Sequence, residues 1–225
     1  MGTLLNRRRY MGGGGEKPLP YDSEVAYLDK TNATGGTYIY TGIDSNENLR
    51  VVAKFAFTVA QYASRVYYPF GVCRQYGSGS GIRYYDKFYF GRNNSGVCAF
   101  LGDNIYTLSY TQQAVGTPIV VDFNYIENGV HKVKVDNDVF DIEGTLGTTG
   151  EITLFALRRY KANTADAFDG YAVRLYSCKM YLNDVIVRDF IPVRKGTVGY
   201  MYDKVTKKLF ENLGSTALEV GPDVN

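Results

Sequence analysis

Tyr171-Ala-Val-Arg-Leu-Tyr-Ser-Cys-Lys-Met-Tyr181, then Leu182-Asn-Asp184, then Val185-Ile-Val-Arg-Asp-Phe-Ile-Pro-Val193 is the stretch that decides the fold. Two runs rich in β-branched and aromatic residues flank Asn183-Asp184, a pair that tolerates the positive φ a tight hairpin turn requires. After Gly196 come Gly199-Tyr-Met-Tyr-Asp-Lys-Val205 and Leu209-Phe-Glu-Asn212.

Outward from that hairpin the same grammar repeats. Leu49, Val51, Ala53, Phe55, Phe57 and Val59 share one face of a strand, with Arg50, Lys54 and Thr58 on the other. One face buried and one wetted is the pattern of an antiparallel sandwich. Ile119, Val121, Phe123 and Tyr125 repeat it against Asp122 and Asn124. Asn128-Gly129 is a strong hairpin signal before Val130-His-Lys-Val-Lys-Val135 returns. A turn at Asp136-Asn-Asp138 leads into Val139-Phe-Asp-Ile142, and Ile152, Leu154 and Ala156 mark another strand. No segment keeps a 3.6-residue period over three turns, so helices are limited to one or two turns and the class is all-β. The 21 Tyr and 12 Phe agree, since aromatic rings suit pleated, half-buried surfaces.

The final hairpin and its sequel carry a resemblance. Arg174, Leu175, Tyr176, Ser177, Lys179, Tyr181, Val187, Arg188, Asp189, Phe190, Ile191, Pro192, Val193, Tyr202, Asp203, Lys204, Val205, Phe210 and Asn212 stand in a familiar order. In these residues the chain resembles the laminin-G/concanavalin-A-like β-sandwich domains carried by phages and prophages of gut bacteria. Gly36-Thr-Tyr-Ile-Tyr-Thr-Gly-Ile43 resembles the first core strand of that family, so the likeness spans roughly Val25 to Asp223 and is weak in the middle. It implies an antiparallel jelly-roll sandwich over residues 20–225, preceded by an extended arm over residues 1–19. It implies little about activity, because a sandwich hosts many.

A chain of 225 residues is one all-β domain or at most two small ones. The formal charge of +2 argues against a nucleic-acid partner. Residues 1–17 hold a local +3 from Arg7, Arg8, Arg9 and Lys17 against Glu16, leaving a body of −1. Gly12–Gly15 and then Pro18 and Pro20 make that arm a hinge with a stiffer exit. Family members commonly begin with a short Arg/Met-rich stretch before a Gly-rich linker, so Arg7, Arg8, Arg9 and Tyr10 are expected to dock onto other virion proteins. Three widely spaced cysteines, Cys73, Cys98 and Cys178, form neither a disulfide framework nor a zinc site, and buried free thiols are expected. That fits assembly in a reducing bacterial cytoplasm. Neither a secretory signal nor a run of about 20 apolar residues is visible, so no membrane insertion is expected.

Chemistry offers several constellations. The concanavalin-A-like fold includes glycan hydrolases whose acids sit on one strand as Glu-x-Asp-x-Glu. Here Asp141 and Glu143 are in the right relation, but Val139 stands where the nucleophile would be, and no glycosyl-enzyme intermediate forms without it. His131, the only histidine, alternates with Val130 and Val133 at an expected exposed strand position, and no nucleophile elbow accompanies it. Laminin-G domains often hold calcium at the sandwich rim. Asp103, Asp136, Asn137 and Asp138 would offer oxygens, although turns favour Asp and Asn for backbone reasons alone. Glycan binding needs aromatic faces and planar polar groups: Tyr67-Tyr68, Tyr84-Tyr85, Tyr89 and Arg158-Arg159-Tyr160 supply them, with Tyr67, Tyr84, Tyr85, Arg159 and Tyr160 as the chosen set.

The expectation is therefore a non-enzymatic virion surface or fibre protein, on capsid or tail, with no cofactor. It would anchor by its arm and decorate the particle or hold a host-surface glycan. A homo-oligomer, most often a trimer in the resembled phage attachment proteins, is expected. The competing readings are a glycan-active hydrolase of the same fold and a bacterial surface adhesion module encoded in a prophage.

Overall fold

The alternation in Leu49–Phe57 (β4) holds along the strand: Leu49, Val51, Ala53, Phe55 and Phe57 are buried, and Arg50, Val52 and Lys54 face outward. The computed structural model describes residues 18–30, 36–60, 66–77, 81–93, 96–110, 114–147, 150–161 and 165–224. Arg7, Arg8, Arg9 and Tyr10, and the docking expectation placed on them, lie outside the described residues. Among the described residues there are two packed sheets and no α-helix.

The larger sheet contains β1 (Ser23–Glu24), β2 (Leu28–Lys30), β4, β9 (Ile119–Glu127), β10 (Val130–Val135) and β11 (Asp138–Asp141). It continues with β15 (Val173–Leu182), β16 (Val185–Lys195), β17 (Val198–Asp203), β18 (Lys208–Phe210) and β19 (Glu219–Val220). Its main path runs β11-β10-β9-β4-β15-β16-β17-β18, antiparallel throughout. The smaller sheet contains β3 (Ile39–Asp44), β5 (Tyr67–Tyr76), β6 (Arg83–Asn93), β7 (Gly96–Gly102), β8 (Asn104–Thr107), β12 (Glu151–Leu154), β13 (Leu157–Tyr160) and β14 (Ala167–Asp169). Its path is β14-β13-β5-β6-β7-β8, with β12 between β3 and β5. This is an all-β sandwich.

Both hairpin turns read from the sequence are formed. Asn128 and Gly129 have φ of 53° and 79°, and Asn183 and Asp184 have 49° and 60°. Left-handed conformation at both central residues matches the right-handed twist of the flanking strands. The core lies between the sheets and is aromatic: Phe55 meets Phe90 (5.9 Å between ring centroids), and Phe123 meets both Phe70 (5.8 Å) and Phe88 (4.9 Å). These edge-to-face pairs cross from one sheet to the other and fill the space that a Trp-free chain would otherwise leave. Cys73, Cys98 and Cys178 are free and buried. Burial pushes all three thiols up, Cys73 to about 12.

Two expectations change where strands bulge. Asn124 was expected on the wet face and Tyr125 inside; the reverse holds. Asn124 has φ of 61°, the register shifts beside it, and its side chain turns inward. There its amide donates to Glu47 O (3.0 Å) and Leu49 O (2.7 Å), and its Oδ1 meets His131 Nδ1 at 2.7 Å. Tyr125 faces outward instead, 5.8 Å from Arg50. In β15 a bulge between Leu175 and Ser177 lets Leu175, Cys178 and Met180 all point inward. The strand expected at Ile152–Ala156 ends at Leu154, because Phe155 takes φ of 65°.

That reversal forks the smaller sheet. Thr153 and Leu154 pair antiparallel with Gly71 and Phe70, whereas Arg158, Arg159 and Tyr160 pair in parallel with Val72, Cys73 and Arg74. Both branches thus lie along one edge of β5. Gly71 permits the crowding: at φ of 153°, an added Cβ would sit 2.2 Å from Tyr89 Cβ.

The polar residues of the final hairpin are consumed by architecture. Arg174 grips Asp29 through Nε (2.9 Å) and Nη2 (2.6 Å) and covers the Tyr27 ring at 3.7 Å. Arg188 Nε donates to Thr41 O at 2.8 Å, tying β16 to β3 and so one sheet to the other. Asp203 is fully buried and accepts from the amides of Asp189, Val205 and Thr206 and from the Thr206 hydroxyl at 2.6 Å. Burial alone would raise its pKa; those donors reverse the effect and hold it below the usual carboxylate value. Asn212 Oδ1 accepts from Tyr38 N and Gly214 N, fastening the C-terminal segment to the entry of β3.

Candidate functional site

The inner face of the smaller sheet changes character along its strands. Val72 and Phe88, paired in register, belong to the core. One row further, Tyr160, Arg74 and Tyr85 align across β13, β5 and β6; beyond them Tyr76 stands opposite Arg83. Side chains two apart share a face, so this Tyr/Arg ledge continues the core surface outward. It is solvent-accessible: Tyr76 is 45% and Tyr85 36% exposed. Their rings meet edge-to-face at 5.6 Å, and the Arg74 guanidinium lies 5.0 Å from the Tyr76 centroid.

A bulge builds the ledge. Val72 faces Phe88 but Arg74 faces Tyr85, so Asp86 and Lys87 together oppose Cys73. Asp86 takes φ of 47° to make this possible. The extra residue puts Tyr85 beside Arg74 and Tyr84 beside Gln75, re-aiming side chains as bulges do. Asp86 Oδ1 then accepts from Gly147 N at 3.2 Å, and its Oδ2 stands 3.8 Å from Arg74 Nη1.

The outer face of the same strands is closed on itself. Arg159 donates through Nη2 to Asp169 (2.8 Å) and through Nη1 to Gln75 Oε1 (3.3 Å) and the Tyr84 hydroxyl (3.1 Å). Beneath it Tyr68, Tyr89, Phe100, Cys73, Cys98 and Leu157 form a second buried cluster. At the fork, Arg158 donates to Asp166 (2.7 Å) and Glu151 O (3.3 Å) and covers the Tyr40 ring at 4.9 Å. Tyr38 stacks on Phe168 at 3.7 Å alongside. Lys30 pins the fork from below: its fully buried Nζ donates to Phe155 O (3.0 Å) and Thr37 O (3.2 Å). Burial pulls its pKa down to about 8, against an opposing pull from Asp169.

The five residues selected from the sequence therefore separate. Tyr85 and Tyr160 share the ledge, while Tyr84 and Arg159 meet on the outer face. Tyr67 is corrected to a core residue: it is fully buried, bonds Ala60 O at 2.9 Å and packs under the Arg92 guanidinium at 4.3 Å. Packed against Phe57 across the core, it has no route to a ligand. Arg74, Tyr76 and Arg83 were missed. Their signal is present as Arg-x-Tyr on one side and Arg-x-Tyr on the other of the Gly77–Gly81 sequence, a period-2 pair that the antiparallel β5–β6 register superimposes.

The remaining constellations disperse. His131 is half-buried against Asn124 rather than exposed. Asp141 lies on the edge strand β11, ion-paired with Lys132 at 2.7 Å, and Val139 on the same strand is 48% exposed. Asp136 accepts from the Tyr110 hydroxyl (2.6 Å) and Val120 N (2.9 Å). With Asn137 and Asp138 it borders an open hollow of about 680 Å³, while Asp103 sits in the β7–β8 turn of the other sheet. The four oxygens proposed for calcium thus do not converge, and no group of three metal-ligating side chains occurs among the described residues. No helix among the described residues is long and apolar enough to cross a membrane. No protein-family model matches this chain, and no curated protein matches it.

Proposed function

We propose that this chain is a non-enzymatic, lectin-like jelly-roll sandwich of the laminin-G/concanavalin-A kind, carried on a phage virion, and that its ledge holds a saccharide. The observation that carries the reading is the row Tyr160–Arg74–Tyr85 with Tyr76 and Arg83 beside it. Exposed rings on a rigid strand scaffold offer flat apolar faces to sugar C–H groups, and guanidinium groups at the same height donate to hydroxyls. Strand placement also limits the entropy lost on binding. A binder is favoured over a hydrolase because Val139 replaces the required acid and Asp141 is engaged by Lys132.

The virion location rests on the likeness of the terminal hairpin. In this reading Arg7, Arg8, Arg9 and Tyr10 dock the arm onto other virion proteins, and the module works as a trimer. Three copies would raise a weak single-site affinity through effective concentration at a repetitive host surface. The test is an array of bacterial surface saccharides probed with the purified chain, together with analysis of purified particles. Binding without release of oligosaccharide supports the reading. Turnover of any arrayed glycan, or no binding across the array, contradicts it. Deletion of residues 1–17 should leave the domain folded, since β1 begins at Ser23, and abolish incorporation into particles.

A further inference from the structure

The guanidinium groups at this end of the sandwich fall into two classes. Arg158 and Arg159 are engaged by Asp166 and Asp169 at 2.7 and 2.8 Å and by further oxygen acceptors. Arg74 and Arg83 are not. The carboxylate beside Arg74, Asp86, is 3.8 Å from Nη1, beyond hydrogen-bonding distance, and Arg74 Nε is buried with no hydrogen-bond partner. Arg83 is exposed and has no ion pair among the described residues. Both open groups are on the ledge. They occupy diagonal positions of one strand pair, since Arg74 faces Tyr85 and Arg83 faces Tyr76, which places their Cβ atoms roughly 7–8 Å apart or less. A buried N–H without an acceptor costs free energy until one arrives. A planar guanidinium answers a carboxylate or sulfate with paired, charge-assisted bonds.

We infer that the ledge takes an anionic saccharide, whose carboxylate or sulfate is received by Arg74 and Arg83 while the rings of Tyr76 and Tyr85 hold the sugar. This rests on the ledge being the saccharide site. Among the described residues Asp86 is the one carboxylate within 4 Å of either guanidinium, with Asp103 behind it on Asp86 N at 3.3 Å. On the outer face Arg159 Nε also lacks a hydrogen-bond partner, but it lies 2.8 Å from Asp169 Oδ2, so its charge is answered by a carboxylate at closer range than that of Arg74.

The experiment is calorimetric titration of the full chain, at physiological salt, with two matched pairs: oligogalacturonate against its methyl ester, and dextran sulfate against dextran. At least one charged member should bind tenfold or more tighter than its uncharged partner, and the pair that does so identifies the acid group. Arg83→Gln, an exposed change whose unfolding curve should match the parent, should collapse that ratio severalfold. Equal affinity for charged and uncharged members, or a ratio that Arg83→Gln leaves unchanged, overturns the inference while the saccharide reading stands. No binding to any of the four, with none on the array, overturns both.

Discussion

Lys30→Met tests the fork directly. The wild-type ammonium is fully buried and has no ion pair among the described residues, donating to Thr37 O and Phe155 O. Its pKa of about 8, against 10.5 for an ordinary lysine, makes the charged form costlier in the folded chain by about 3 kcal/mol. The sign follows from proton counting. Between pH 8 and 10.5 the unfolded chain holds the proton and the folded chain does not, so unfolding takes up a proton and stability rises with pH. Below pH 8 the penalty is present in full. Met fills the same volume without a charge, but strands two carbonyls at roughly 1 kcal/mol or more each. Near pH 7 these effects oppose each other and the variant should lie within about 2 kcal/mol of wild type. By pH 10.5 wild type should have gained about 3 kcal/mol on the variant. Urea unfolding of both proteins from pH 7 to 10.5 measures this, and the difference cancels the tyrosines common to both. Parallel profiles would refute a charged Lys30 beneath the fork.

Three further outcomes follow from the packing. Asp203→Asn should cost about 2–3 kcal/mol near neutrality, because an amide cannot accept from all the donors around Asp203. Since the wild-type pKa is depressed, its contribution is present above the ordinary carboxylate range and lost as pH falls through the folded value; the variant's acid limb should be flatter in urea titrations. Asn124→Ala leaves Glu47 O and Leu49 O without their donor and should cost about 1–3 kcal/mol by chemical denaturation. The thiols of Cys73, Cys98 and Cys178 should resist an aromatic disulfide reagent in buffer and all react in urea; fast native labelling of any one would contradict its burial.

The class of fold was legible because β4 and the Asn-Gly and Asn-Asp turns announce themselves locally. The strands around Asn124, Tyr176 and Asp86 were not, since a bulge inverts the phase of everything beyond it and is fixed by partners distant in sequence. The same reason explains the site. Tyr84-Tyr85 and Arg159-Tyr160 were visible as aromatic and cationic material, but adjacent residues on a strand point to opposite faces. Only the β5–β6 register reveals that Tyr85 and Tyr160 join Arg74, and that Tyr84 and Arg159 spend their polar groups on each other. Tyr67 carried no local mark of burial; Phe57 and Arg92 supply it from other strands.

Tyrosine-selective aromatic carbon labelling, with spectra recorded as an array-positive saccharide is added, tests the ledge most directly. Resonances assigned by single Tyr→Phe changes should move at Tyr76, Tyr85 and Tyr160, with Tyr84 and the buried Tyr68 and Tyr89 unmoved. Shifts confined to Tyr84, or to the outward tyrosines Tyr125 and Tyr181 of the larger sheet, would contradict the account and place the ligand elsewhere.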